Sequence, residues 1–148
     1  MILLVHMLLG AAIGSTALSA PLAVILAFLS HYFLDLLPHI EYPIENLQKK
    51  QWQKALPDIF RVTLDFCLGA FIIVMLSKNQ LIIYACAFMA ILPDGITVIS
   101  RLMPSKILAL HDKLHEKIHF LKQTKISNFW RFSSQILVII VSIILIKS

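Results

Sequence analysis

The sequence predicts an all-α polytopic membrane protein, on three observations. Its 148 residues are 59% hydrophobic and 14% charged, against roughly 45–50% and about 25% in a soluble domain. The apolar residues gather in five stretches, at 1–13, 18–37, 59–76, 81–103 and 129–146, and a spanning helix takes about 20 residues. The third observation is an internal likeness. His6-Met-Leu-Leu-Gly10-Ala11 has a counterpart in Asp65-Phe-Cys-Leu-Gly69-Ala70, and Leu37-Pro38-His39 has one in Leu92-Pro93-Asp94. Five spans in a single domain, 1–148, are therefore expected. The first four form a tandem duplication of one helical hairpin, with copies at 1–40 and 57–103.

The first stretch is short unless its helix runs on through residues 14–17. Ala17-Leu18-Ser19-Ala20 has the small residues of a signal-peptide cleavage site, but no Lys or Arg precedes the apolar run as a basic n-region would require. His6 also belongs to the repeat, so the segment reads as a span. Gly10 and Gly14 make a GxxxG pattern that lets helices approach closely. Gly69 and Ala70 repeat part of it, and spans one and three are expected to pack there, with His6 near Asp65. A pseudo-twofold axis would then overlay His6 on Asp65 and His39 on Asp94.

Span two ends in the densest polar cluster, Ser30-His31-Tyr32-Phe33-Leu34-Asp35-Leu36-Leu37-Pro38-His39. His31, Asp35 and His39 stand at i, i+4 and i+8, near one face of a helix. Proline removes a helix bond and bends the chain, so a bend is expected at Pro38 and a matching break at Pro93. Glu41 and Glu45 follow in the loop. Cys67 and Cys86 both lie in spans, lack C-x-x-C spacing and read as small packing residues.

Residues 107–121 differ. Leu110, Leu114, Ile118 and Leu121 form an apolar stripe, with Asp112, Lys113, Glu116 and Lys117 away from it. An amphipathic helix lying in the membrane interface is expected. His111, His115 and His119 recur at i, i+4, i+8 along its edge. They read as polar residues of an exposed helix, the alternative being a second ligand row or a lid over a site. Trp52, Trp130, Tyr32, Tyr42 and Tyr84 fit as interfacial anchors. The last span, 129–146, has no ionisable residue between Arg131 and Lys147 and reads as a structural helix outside the repeat.

Charge sets the orientation. Lys49, Lys50, Lys54, Arg61, Arg101, Lys106, Lys113, Lys117, Lys122, Lys125 and Arg131 fall on the N-terminal side, and only Lys78 and Lys147 on the other. Cytoplasmic loops carry the excess of Lys and Arg, so the N-terminus is expected in the cytoplasm and the C-terminus outside. The net charge of +5 is then concentrated on the inner face, where anionic lipid headgroups are natural partners. Nothing points to nucleic acid.

His6, His39, Asp65 and Asp94 all fall in the cytoplasmic half. Ionisable residues in a membrane are expensive, and imidazole with carboxylate is metal-ligand chemistry. A divalent metal, Zn²⁺ or Mn²⁺, is expected on His6, His31, Asp35, His39, Asp65 and Asp94. Such a metal activates water against an ester or phosphoester, with Asp35 the candidate base.

His6 and Leu37-Pro38-His39-Ile40-Glu41-Tyr42-Pro43 resemble the bacterial family of predicted membrane-bound, metal-dependent hydrolases, which includes an inner-membrane protein under LexA control. That family has a His in its first helix and an LPDIDHP-like stretch ending a later one. The resemblance covers roughly the first third of the chain. His39 stands at the first acidic position and Tyr42 at the family His, and no HRGxTHS-like segment follows. It implies an inner-membrane location and a metal site at His6, His39 and Glu41.

The expected function is membrane-embedded, metal-dependent hydrolysis of an ester or phosphoester, a lipid among the candidates, from the cytoplasmic side. The alternatives are a metal-cation or proton transporter, since duplicated halves with broken helices are transporter features, and a non-catalytic membrane assembly protein held together by its polar residues. The orientation is directly testable. Reporters fused after Ser148 and inserted at residues 56–58 should lie on opposite sides of the membrane. The same side for both would end the five-span arrangement.

Overall fold

The computed structural model describes residues 1–17, 19–42, 46, 51–78, 80–103, 105–118 and 126–148. Expectations resting on Leu18, Pro43, Glu45, Lys49, Lys50, His119, Leu121, Lys122 and Lys125 lie outside the described residues. Among the described residues six α-helices are present: α1 (Leu3–Thr16), α2 (Ala20–Asp35), α3 (Leu56–Leu76), α4 (Leu81–Leu102), α5 (Lys106–Ile118) and α6 (Asn128–Lys147), with a 3₁₀ turn at Trp52–Lys54. Three segments, Leu56–Leu76, Leu81–Ser100 and Asn128–Lys147, are long and apolar enough to cross a membrane. α1 and α2 are shorter, at 14 and 16 residues.

α1 is the centre of the bundle. It packs against α2, α3, α4 and α6, and Val5, His6, Leu8, Ala11 and Ala12 are wholly buried. An apolar helix buried on all sides shows no amphipathic stripe, and the run Leu-Leu-Val-His-Met-Leu-Leu-Gly-Ala-Ala has none. Helices in lipid gain little from the hydrophobic effect, so close backbone approach at small residues holds them together. A Cβ on Gly10 would lie 2.5 Å from the Cys86 carbonyl oxygen, and one on Gly14 would lie 2.9 Å from the Ile83 Cα. The GxxxG seam therefore faces α4, correcting the expected pairing of spans one and three. α3 meets α1 through a separate small residue: a Cβ on Gly69 would stand 3.3 Å from the Leu4 Cα.

The two prolines act differently. The residue before a proline is biased away from helix, and Leu37 precedes Pro38. The Leu37 amide bonds back three residues, to Leu34 at 3.0 Å, and α2 closes at Asp35. His39 is thereby carried off the helix, out of line with His31 and Asp35. Pro93 is instead absorbed inside α4, which runs unbroken to Leu102. The break expected there is absent.

α2 turns Ala23, Ala27, Ser30, His31, Leu34 and Asp35 inward, the four-and-three spacing of one helix face. Leu22, Ile25, Leu26, Leu29 and Phe33 point out. α3 buries little beyond Asp58, Gly69 and Ile73. Its other large side chains form an exposed apolar surface of the kind lipid covers. α3 and α4 barely touch, although they are consecutive; each packs separately on α1. The hairpins thus differ in length, in packing and in the fate of their prolines. His6 and Asp65 do not share surroundings, nor do His39 and Asp94.

Chain direction alternates through the bundle. Leu4 and Met7 of α1 meet Asp65 and Gly69 of α3 in parallel, while Gly10 and Gly14 meet Cys86 and Ile83 of α4 in antiparallel. α6 joins α1 at its far end, where Ser15 Oγ donates to the Leu145 carbonyl at 3.1 Å. At its near end α6 straps the chain after α2. Arg131 donates to the His39 carbonyl at 2.9 Å, Gln135 to that of Ile40 at 3.0 Å, and Ser134 to that of Pro38. Cys67 is exposed, Cys86 is buried, and neither forms a disulfide.

The seam gives a stability prediction. Gly10→Val and Gly14→Val should each lower the melting temperature in detergent, at a cost of about 1–3 kcal/mol from overpacking. Gly95, whose Cβ would meet nothing within 4 Å, is the control. Gly95→Ala should be neutral or stabilising by up to ~1 kcal/mol.

Candidate metal centre

At the end of the bundle where α1 begins and α2 ends, four helices bring five side chains together. His31 and Asp35 are one turn apart on α2, so their side chains meet; His31 Nε2 lies 3.1 Å from Asp35 Oδ2. His6 of α1 stacks on His31, with ring centroids 4.1 Å apart, and its Nε2 lies 3.4 Å from Asp35 Oδ1. Asp94 of α4 sets Oδ1 3.6 Å from His31 Nε2. The fifth comes from α5: His115 Nε2 is 3.1 Å from His31 Nε2, 3.2 Å from Asp35 Oδ2 and 3.7 Å from Asp94 Oδ1. The Met1 amino group also stands 3.0 Å from Asp35 Oδ1.

Outer contacts orient the rings. His31 Nδ1 is 2.8 Å from the Ala90 carbonyl, which can only accept, so Nδ1 carries the proton. The Nε2 of a neutral His31 then aims a bare lone pair at the cluster. Ala90 lies in the turn of α4 before Pro93. His115 Nδ1 is 3.1 Å from Thr97 Oγ1, a hydroxyl that can accept its proton and turn that Nε2 inward as well. Metal-binding histidines typically donate their other ring N–H to a carbonyl or another polar oxygen.

The donor set fits a divalent cation. Two imidazole nitrogens and a carboxylate oxygen stand mutually 3.1–3.2 Å apart, where a single proton can serve one pair at a time. Tetrahedral ligands about 2.0–2.2 Å from zinc are about 3.3–3.6 Å from one another, close to these separations. Two triads, His6–His31–Asp94 and His31–Asp35–His115, each bring ligand atoms within 4.8 Å of one another, with His31 common to both. His6 is wholly buried, yet neither ring nitrogen makes a hydrogen bond among the described residues. A buried polar atom without a partner is costly, and a shared cation would satisfy it. Asp94, its side chain 32% exposed, is the open edge of the cluster, whereas Asp35 is 1% exposed.

Of the six ligands expected from the sequence, His6, His31, Asp35 and Asp94 meet here, and His39 and Asp65 do not. His39 Nδ1 bonds to the Leu37 carbonyl at 2.7 Å and Nε2 lies 3.3 Å from Glu41, a consequence of the helix stop before Pro38. Asp65 caps α1 instead, accepting from the Leu4 amide at 2.8 Å. Tyr42, expected as an interfacial anchor, accepts from the Leu3 amide at 3.0 Å and donates to Asp65. The first amides of α1, which have no partner within the helix, are thereby satisfied from outside it.

The i, i+4 spacing of His111 and His115 predicts the edge of an exposed helix, with a second ligand row or a lid over a site as the alternative. Instead α5 turns that edge inward: His115 is 6% exposed, His111 lies 3.1 Å from the Tyr32 hydroxyl, and Ser100 donates to Asp112. Ile107, Leu110 and Leu114 are the exposed ones. The carbonyl of Ala90 carried no sequence signal at all.

Comparison with protein-family models, with curated proteins and with solved structures found no match for this chain.

The α1 cap has a testable pH signature. Burial, and then the Asp65 carboxylate, hold the Tyr42 phenol above its ordinary pKa. A raised phenol pKa means that the neutral form is favoured in the fold. Its stabilisation is complete below about pH 10 and falls as the pH rises toward the folded value. Tyr42→Phe should be less stable than wild type by about 1–3 kcal/mol at pH 7, and the gap should narrow at pH 11. Melting curves in detergent at the two pH values check this; an unchanged gap would detach the stability from the phenol's proton.

Proposed function

We propose that this chain is a membrane-embedded hydrolase acting on an ester or phosphoester with a divalent cation, Zn²⁺ or Mn²⁺, held by His6, His31, Asp35, Asp94 and His115. One observation carries the reading. Three imidazoles and two carboxylates from four helices converge in an apolar bundle, two of the rings braced by outer hydrogen-bond contacts and the third left without a hydrogen bond. A carboxylate in a span costs about 2.5–3.5 kcal/mol even on the lowest insertion scales, and one cation offsets two at once.

A divalent cation held there supplies Lewis acidity toward the ester or phosphoryl oxygen and lowers the pKa of a water. The remaining roles fall to the chain. His31 and His115 are fixed by Ala90 and Thr97 and hold their Nε2 atoms toward the centre. Asp35 has both oxygens taken up by the Met1 amino group, His6, His31 and His115, which suits it to holding the cluster together. Asp94, on the open edge, is placed to accept a proton from an attacking water. Proton transfer therefore passes from Asp35, the candidate from sequence, to Asp94.

In this reading α1 and α2 also lie within the bilayer, making five crossings with the cluster on the cytoplasmic side. The alternating helix directions and the eleven-to-two distribution of Lys and Arg support that orientation. A cluster confined to one end of the bundle suits a site reached from one face better than a path across the membrane. The substrate is drawn from the inner leaflet.

Metal analysis of purified protein tests the reading. Wild type should retain zinc or manganese, and a chelator should lower its melting temperature. His6→Ala, Asp94→Ala and His115→Ala should each weaken binding about ten-fold or more, as even outer-shell changes commonly do, whereas His39→Ala should not. Protein that holds no divalent metal and is indifferent to chelator would leave the cluster a set of interhelical contacts.

A further inference from the structure

We propose that the crevice between α3 and α4 holds the hydrocarbon chain of the substrate, so that the substrate is a membrane amphiphile with its ester or phosphoester at Asp94. The inference rests on the hydrolase reading and specifies its substrate. The crevice arises because Gly69 draws α3 onto α1 while Gly10 and Gly14 draw α4 onto α1 elsewhere, leaving the two helices apart. It is an open groove of about 160 Å³, room for a segment of a hydrocarbon chain. Met7 of α1 lies at its floor, Phe66 and Val74 on the α3 wall and Phe88 on the α4 wall. Phe66, Val74 and Phe88 are each more than two-fifths exposed, so the crevice opens on the face that lipid would cover.

Continuity with the cluster selects the occupant. Tyr84, Ala87 and Ile91 line the crevice, and Asp94 follows them at the three-four-three spacing of a single helix stripe. A chain lying along this stripe arrives at the one carboxylate of the cluster that is open, and Met7, beneath it, adjoins His6. The walls carry no charge, so they select a chain without reading a headgroup. Because the groove opens on the face that bilayer lipid would cover, the occupant is an acyl chain of a phospholipid, and a polyprenyl phosphate is the alternative that the test excludes.

The experiment is photolabelling of the full-length protein in phosphatidylethanolamine–phosphatidylglycerol vesicles. One arm carries phosphatidylglycerol with a diazirine in its acyl chain, the other a diazirine-bearing polyprenyl phosphate. Adducts mapped by mass spectrometry should concentrate on the crevice walls in the phosphatidylglycerol arm, and crevice adducts in the polyprenyl arm alone would overturn the proposal. Ala87→Phe, which fills the floor, and Val74→Trp, which closes the mouth from an exposed position, should lose those adducts. Leu26→Trp, of similar bulk on the outer face of α2, should keep them. Adducts spread evenly over the outward faces of α2, α3 and α6 in both arms would overturn the proposal, as would crevice adducts undiminished in Val74→Trp. Labelling needs no turnover. Crevice labelling in protein without metal would therefore remove the hydrolase and leave the chain site, whereas bound metal without crevice labelling would do the reverse.

Discussion

The backbone contact between α1 and α4 at Gly10 and Gly14 underlies the other features of this molecule. With no side chain at either glycine, Cys86 and Ile83 approach to distances that any Cβ would obstruct. Lipid offers helices little hydrophobic reason to associate, so such contacts must hold the bundle together. The seam also sets the depth and rotation of α1, and hence the place of His6. Ala90, whose Cβ abuts Gly10, is the residue whose carbonyl holds His31. Packing at the seam and orientation at the cluster are one geometric fact.

Electrostatics then decides what this end of the bundle can contain. Two carboxylates and three imidazoles in an apolar bundle are tolerable only when they satisfy one another or share a cation. Their satisfaction is uneven. His31 is bonded on both sides, Asp35 accepts from several directions, Asp94 is partly open and His6 has no hydrogen bond. His6 is held by its stack on His31 and by the Asp35 carboxylate 3.4 Å from its Nε2.

Two peripheral pieces finish the site. The segment after α2 is strapped by α6 through three backbone carbonyls and returns Tyr42 to the start of α1, where Asp65 joins it. That cap holds the N-terminal turn from which His6 projects. α5 closes the other flank with His115, its polar edge against α2 and α4 and its apolar stripe outward. A surface helix that buries a histidine edge and exposes its leucines beside its lysines suits a helix lying at the boundary of a bilayer.

Much of this was legible in the sequence, because composition and local spacing determine what depends on a single segment. The helical class, the long apolar helices, the amphipathic character of α5 and the polar meeting of His31 with Asp35 are of that kind. So is the choice of His6 and Asp94, since an ionisable residue in an apolar run has few other reasons to be there. Tertiary structure decided the rest. His39 left the cluster because Pro38 ended α2 one turn early, while Pro93 was carried inside α4; the two prolines look alike in sequence and differ in what packs around them. Asp65 went to cap α1, a demand made by free amides sixty residues away. The likeness of the two hairpins did not carry over into shared surroundings, because the glycine seam faces α4 rather than α3. His115 joined the cluster because its helix docks with the polar edge inward. Spacing indicates which residues share a face, but which face turns inward depends on the neighbour that packs against it.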